Sequence, residues 1–411
     1  MFPSASRTAA VTAPAASAPP GPAARPAPSL PRRAGPALLG YTAVRLLGTL
    51  VMLKWAHLQH RGLWPLLANR WDSRWYLGIA DHGYAETFDV SGFNESNLAF
   101  FPLYPVLVKG VAGVTPGSRA SVGLVVAAGC SLLAAWGIYA VGERLYGRRV
   151  GTVLAVLWGA TPVAAIQWMG YTESLFTALA AWSLYAVLAD RWVMAGALCL
   201  LAGLTRPTGL ALVAGVCVSA VVALWRLRRT APVPISTEPD PGRGRVRRIV
   251  LGAVLAPLGW LAYVGWVGLR LGRADGYYAV QRQWDNQWDG GKQTLRTMRD
   301  TLMYPAHPQL FLVVVSLVLI ASAALFLLCL FDRQPLPLLV FSGVLLLIVL
   351  GSGGVYFPRA RFLLPGFPLL LPLALAIARA HRRVAVLSLS AAALGSAYFG
   401  AYMTLVYGGP P

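Results

Sequence analysis

From Pro36 onward the chain is a succession of long apolar runs, most of them long enough to cross a bilayer and separated by brief polar segments. Crossing a hydrocarbon core takes about 20 helical residues. The runs are continuous and do not alternate, which predicts helices and not the strands of a barrel. Hydrophobic residues make up 57% of the 411 and charged residues 12%, where a soluble domain carries about 25% charged. The chain is therefore expected to be an all-α polytopic membrane protein. Spans are expected at roughly 36–54, 119–141, 151–167, 171–189, 192–205, 207–225, 249–270, 309–331, 335–351, 362–380 and 384–407.

The formal charge of +20 does not call for nucleic acid. Basic residues flank membrane spans because cytoplasmic loops retain Lys and Arg. Nearly all of them are Arg, with Lys only at Lys54, Lys109 and Lys292. This usage, with abundant Ala, Gly and Pro, points to a GC-rich bacterial genome and hence to the cell membrane. Residues 1–35, rich in Pro, Ala and Ser, read as a disordered cytoplasmic tail. Residues 36–411 form the membrane domain, with outer loops at 55–118 and 271–308 and a basic cytoplasmic loop at 226–248. Placing the N-terminus inside satisfies the positive-inside rule. It requires that Ala99–Val114, interrupted by Pro102, Pro105 and Lys109, stay at the outer face. Thr205-Arg206-Pro207-Thr208-Gly209 breaks what would otherwise be one overlong helix, since Pro removes a donor and Gly permits the turn. The four cysteines lie inside apolar runs and read as packing residues.

With this topology the polar motifs gather on one side. The densest is Trp71-Asp72-Ser73-Arg74-Trp75-Tyr76-Leu77-Gly78-Ile79-Ala80-Asp81-His82-Gly83-Tyr84. Trp71, Trp75 and Ile79 fall at i, i+4 and i+8 and make one apolar stripe, with Asp72, Tyr76 and Ala80 beside it. Such a helix is expected in the interface, its Trp stripe toward the headgroups and Asp72 toward the protein. Asp81 and His82 are further candidates. Glu173 opens a span after Tyr171 and Thr172, and is either a helix-start carboxylate favoured by the macrodipole or a site residue. Arg206, at membrane depth between two half-helices, is a costly placement and a good anion ligand. Arg359 and Arg361 enter a span together; they either snorkel to headgroups or use their forks on a lipid phosphate. Trp284-Asp285 and Trp288-Asp289 suit a sugar face and an interfacial helix equally.

No acidic D-x-D triplet lies in the outer loops, and there is no phosphate-binding Gly-rich loop and no zinc-type spacing. A nucleotide-sugar donor held by a metal is therefore not expected, whereas a lipid monophosphate sugar needs only arginines. A transporter would show internal repeats and ionisable residues through the membrane, and neither is seen.

Five stretches carry a resemblance: W-D-S-R-W-Y-L-G-I-A-D-H-G-Y (71–84), A-F-F-P-L-Y-P (99–105), Y-T-E-S-L-F (171–176), G-L-T-R-P-T-G-L (203–210) and R-F-L-L-P-G-F-P-L-L-L-P-L-A (361–374). In this order they resemble the PIG-V family, GPI mannosyltransferase II and its bacterial relatives, within the GT-C membrane glycosyltransferases. The resemblance implies a GT-C-like bundle of about eleven transmembrane helices whose outer first loop holds interfacial helices. It also implies mannose transfer from a polyprenyl-phosphate donor on the non-cytoplasmic face, with the catalytic carboxylate at Asp72. No cofactor or metal is expected, since the lipid-linked sugar is a substrate. Arg206, Arg361 and Arg359 are expected at the donor phosphate. Trp71, Trp75, Tyr76, Asp81, His82, Tyr104, Tyr171 and Glu173 are expected to hold sugar or acceptor or to support Asp72. The acceptor could be a lipid, a glycan or a protein, and a partner subunit is compatible. Another sugar on the same lipid would leave the same motifs, and a lipid or sugar transporter or a non-catalytic subunit remains the rival class.

Overall fold

The computed structural model describes residues 30–85, 88–89, 94–230, 241–304 and 306–410. Most of the expected N-terminal tail and the middle of the basic loop, 231–240, lie outside the described residues. The first elements are α1 (Leu30–Leu58), α2 (Leu63–Ala68), α3 (Asp72–His82) and α4 (Leu103–Ala112). Next come α5 (Arg119–Tyr146), α6 (Arg148–Gly159), α7 (Glu173–Leu188), α8 (Trp192–Gly203), α9 (Gly209–Thr230) and α10 (Pro241–Arg270). After α11 (Gly276–Gln283) and α12 (Lys292–Met303) follow α13 (Leu310–Phe331) and α14 (Leu336–Gly351). A one-turn helix α15 (Arg359–Phe362), α16 (Leu371–Arg379) and α17 (Arg382–Leu405) complete the chain. Two-residue strands pair antiparallel, β1 (Phe88–Asp89) with β2 (Asn94–Glu95) and β3 (Gln287–Trp288) with β4 (Ser352–Gly353).

Each of the expected spans meets a helix or a pair of helical pieces. Among the described residues six helices are long and apolar enough to cross a membrane, namely Arg33–Leu58, Arg119–Tyr146, Gly209–Arg229, Arg243–Arg270, Leu310–Phe331 and Arg382–Leu405. Others are shorter than the apolar runs that encode them. The run 151–167 ends as α-helix at Gly159 and continues as a 3-10 turn, Ala164–Trp168. The run 362–380 likewise breaks at Pro365-Gly366, between α15 and the 3-10 turn Phe367–Leu370. These interruptions bring irregular backbone below the ends of the longer helices, which is tolerated at membrane depth only where protein buries it. α4 has 10 residues and rises about 15 Å, too little to span.

The helices run alternately up and down, so the connections fall at two ends. At one end, the crown, Arg61 and Arg70 donate to the carbonyls of Leu405, the last residue of α17, and Gly408 just beyond it. At the other, the foot, Arg144 bonds the Leu188 carbonyl, Arg149 the Ala380 carbonyl, and Tyr146 the Gln334 side chain. The two long polar loops, 55–118 and 271–308, both belong to the crown. There Arg273 and Arg282 hydrogen-bond Asp275 and hold its carboxyl down to about 2.

Within the bundle, lipid offers little hydrophobic drive between helices, and small residues let backbones approach instead. α8 and α10 show this at Gly196, Gly203, Gly252 and Gly259. A Cβ on Gly203 would lie 2.7 Å from the Trp260 nitrogen, and one on Gly259 would run into the Leu200 carbonyl.

Candidate active site

Four charged side chains from four separated elements meet in one line at the crown. Asp72, the first residue of α3, accepts from Arg361 on α15, Oδ2 to Nη2, at 2.6 Å. Arg361 Nε lies 3.7 Å from Glu173 Oε1 at the start of α7, and Arg206 Nη1 lies 2.5 Å from the same oxygen. Arg206 stands in the turn between α8 and α9. α8 has 12 residues and rises only about 18 Å, so this turn sits within the bundle and not above it. Glu173, Arg206 and Arg361 are buried, while the Asp72 side chain is 21% exposed, the open end of the line.

Thr172 joins the line from the side. Its hydroxyl accepts from Arg206 at 3.0 Å and shares a hydrogen bond with the Tyr76 hydroxyl at 3.1 Å. The planar faces of the cations are also covered, Arg361 against the Tyr171 ring at 5.1 Å and both Arg361 and Arg206 against Phe362 at 5.3 and 5.2 Å, a favourable arrangement when desolvated. Neither Glu173 oxygen receives an aligned N–H, although two guanidinium groups are within ion-pairing distance. Its charge is thus compensated electrostatically while its lone pairs are not hydrogen-bonded. Nε and Nη1 of Arg361 and the Tyr171 hydroxyl likewise have no hydrogen-bond partner. Buried donors left open in this way cost about 1–3 kcal/mol each.

The backbone next to Asp72 is strained. Trp71 caps α3 with φ 53° and ψ −125°, a conformation rare for a bulky residue and costing about 1–3 kcal/mol. Its neighbours hold it there. The Arg70 guanidinium stacks over the indole at 4.2 Å. Ser73 Oγ accepts from the Arg70 amide at 2.8 Å and donates to the Arg70 carbonyl at 2.6 Å.

The remaining candidates divide. Tyr76 is one turn after Asp72, buried, with its ring edge-on to Tyr104 at 5.3 Å. Tyr104 is tied to the Gly123 carbonyl at 2.8 Å and supports Tyr76 without touching the charges. Trp75 does not face the headgroups as its stripe suggested. It is 7% exposed, stacks on Phe100 at 5.5 Å and meets Trp284 edge-on at 5.0 Å, because two crown loops close over α3 and bury that stripe. Asp81 faces away and pairs with Arg119. His82 stands beside it, exposed, in the last turn of α3.

Arg359 is also elsewhere. It is 2% exposed, and its guanidinium is taken up by the Thr294 hydroxyl, the Ser352 carbonyl at 2.6 Å and the Val355 carbonyl at 3.2 Å. It latches α12 and β4 to α15, and so positions Arg361 two residues on. Arg359→Met should therefore destabilise the fold by about 1–3 kcal/mol through the stranded hydroxyl and carbonyls. Thermal unfolding in detergent would measure this, and an unchanged midpoint would remove the latch. Thr172, Phe362 and Thr294 were not marked as site residues from sequence. Thr172 lay inside the Tyr171–Ser174 motif, but nothing in the sequence placed Thr294 against Arg359. Among the described residues, no three His, Cys, Asp or Glu side chains come together as a metal cluster.

No protein-family model and no curated protein matches the chain. Solved structures do match. ArnT from Cupriavidus metallidurans bound to undecaprenyl phosphate aligns with a TM-score of 0.50 and 16% identity, over 84% of this chain and 60% of that one. The oligosaccharyltransferase AglB from Archaeoglobus fulgidus, in complex with an inhibitory peptide and a dolichol-phosphate, aligns with a TM-score of 0.47 and 16% identity, over 90% and 56%. The chain thus spans less than two thirds of the length of these structures. It is a multi-pass membrane protein with the fold of the GT-C membrane glycosyltransferases.

Proposed function

We propose that the protein is a membrane glycosyltransferase of PIG-V type. It transfers mannose from a polyprenyl-phosphate mannose to an acceptor hydroxyl on the non-cytoplasmic face, with inversion and without a metal. The carrying observation is the Asp72–Arg361–Glu173–Arg206 line, in which a partly open carboxylate touches a buried arginine that still has unpaired N–H donors. The undecaprenyl phosphate in the ArnT structure supports a lipid phosphate as the ligand of such arginines. Mannose is taken from the resemblance of the five stretches to the PIG-V family.

In the transfer, the acceptor oxygen bonds to the anomeric carbon as the bond from that carbon to the phosphate oxygen breaks. The acceptor proton goes to Asp72, and the phosphate leaves with one more negative charge. A protonated Asp72 no longer holds Arg361 by charge, so the guanidinium turns its full attraction on the phosphate while that charge grows. Arg206 adds a second positive group behind it, with Glu173 keeping the two cations together. The foot, rich in arginine, faces the cytoplasm in this reading, which places the crown outside.

The test is incubation of the purified protein in detergent with radiolabelled polyprenyl-phosphate mannose and a membrane lipid extract, with and without a chelator. Labelled product in both samples is expected. No product with mannose but product with another polyprenyl-phosphate sugar would reassign the donor, and no product with any of them would remove the enzyme reading.

A further inference from the structure

The foot carries an open cavity of about 600 Å³, between α9 and the turn joining α13 to α14. It lies far from Asp72. Arg226 on its wall is 17 residues along α9 from Gly209, about 26 Å at 1.5 Å per residue, and Gly209 adjoins the Arg206 turn at the crown. Its mouth holds two exposed arginines, Arg226 and Arg333, and its floor is apolar, with Val222, Leu330 and Leu339.

Three features give this cavity one sign. Among the described residues, no carboxylate lines it. The N-terminus of α14 opens onto it at Pro335–Pro337, with no acidic residue in the first turn, and helix N-termini favour anions. Gln334 is the third and most specific. It is 4% exposed, its Oε1 accepts from the Tyr146 hydroxyl at 2.9 Å, and its Nε2 has no partner. A buried amide donor on the wall of a cationic cavity requires an acceptor to meet it. The apolar floor continues into the lipid-facing side of the bundle, where Leu330 is exposed. That combination fits an amphiphile, with a phosphodiester at the arginines and acyl chains along the helices.

We propose that this cavity binds the headgroup of an anionic phospholipid from the membrane leaflet opposite the Asp72 site. The two arginines and the Gln334 amide take the phosphodiester oxygens, in the manner of basic pockets between transmembrane helices. The site is independent of any glycosyl transfer at the crown.

Purified full-length protein in a neutral detergent would be titrated with phosphatidylglycerol, phosphatidylcholine or inorganic phosphate, and binding read by native mass spectrometry and thermal unfolding. Phosphatidylglycerol should bind and raise the unfolding midpoint; the other two should not. Arg226→Gln and Arg333→Gln should each weaken binding about fivefold, and Arg226→Lys with Arg333→Lys should largely preserve it. Gln334→Glu retains an acceptor for Tyr146 and the same volume but sets a carboxylate where the amide donor stood, so it should abolish the response. Equal binding of phosphatidylcholine would overturn the proposal, as would a full effect from inorganic phosphate alone. So would undiminished phosphatidylglycerol binding in the double Gln variant, with its unfolding midpoint in the absence of lipid read alongside.

Discussion

Asp72→Asn should lower the transfer rate by about 10²–10⁴-fold, the range a positioned general base supplies, while leaving folding and donor binding in place. The substitution keeps the size of the side chain and removes its capacity to take a proton. Arg361 loses its ion pair at 2.6 Å, though the amide oxygen can still accept from it, and keeps Glu173 at 3.7 Å, so the buried cation retains a counter-charge. With one competing carboxylate neutralised, donor affinity should hold or tighten. Initial rates with labelled donor, beside a binding measurement on the same variant, separate the two effects. Near-normal turnover would remove Asp72 from the chemistry altogether.

Arg361→Gln should cost about 10²–10³-fold in rate, as the loss of one donor aimed at developing charge does elsewhere. It should also lower stability. Arg361 is buried against two carboxylates and two rings, and breaking a buried pair by removing one partner costs about 3–5 kcal/mol. Because Glu173 keeps Arg206, the lower part of that range is expected. Arg361→Lys distinguishes the two roles. It retains the positive charge and loses the planar fork, so stability should largely return while the rate stays low. A Lys variant with both stability and rate restored would reduce Arg361 to a counter-charge.

Much of this architecture was legible in the chain, because apolar runs of bilayer length have few ways to fold. The Arg206 turn was legible too, since Pro207 and Gly209 interrupt a run too long for one span. What could not be read was direction around a helix. Successive helical residues turn by about 100°, so Arg359 and Arg361, two apart, point about 200° away from each other. One reaches Asp72 and the other is left to latch α12. The same geometry separates Asp81 from Asp72. Nine residues bring the side chain round to the opposite face of α3, where Arg119 meets it. The inward turn of Trp75 depends on Phe100 and Trp284, which arrive from loops distant in sequence. No period within 71–84 could announce them.

Two carboxylates and two guanidinium groups make the resting line electroneutral. In the proposed chemistry a donor diester brings one negative charge, and the reaction keeps that total unchanged, because the proton gained by Asp72 balances the charge gained by the departing phosphate. No counter-ion has to enter from solvent at the moment of bond exchange. Reset is then a proton problem. The spent carrier lipid and the Asp72 proton both have to leave before another cycle, and the partial opening of Asp72 alone among the four gives that proton its exit.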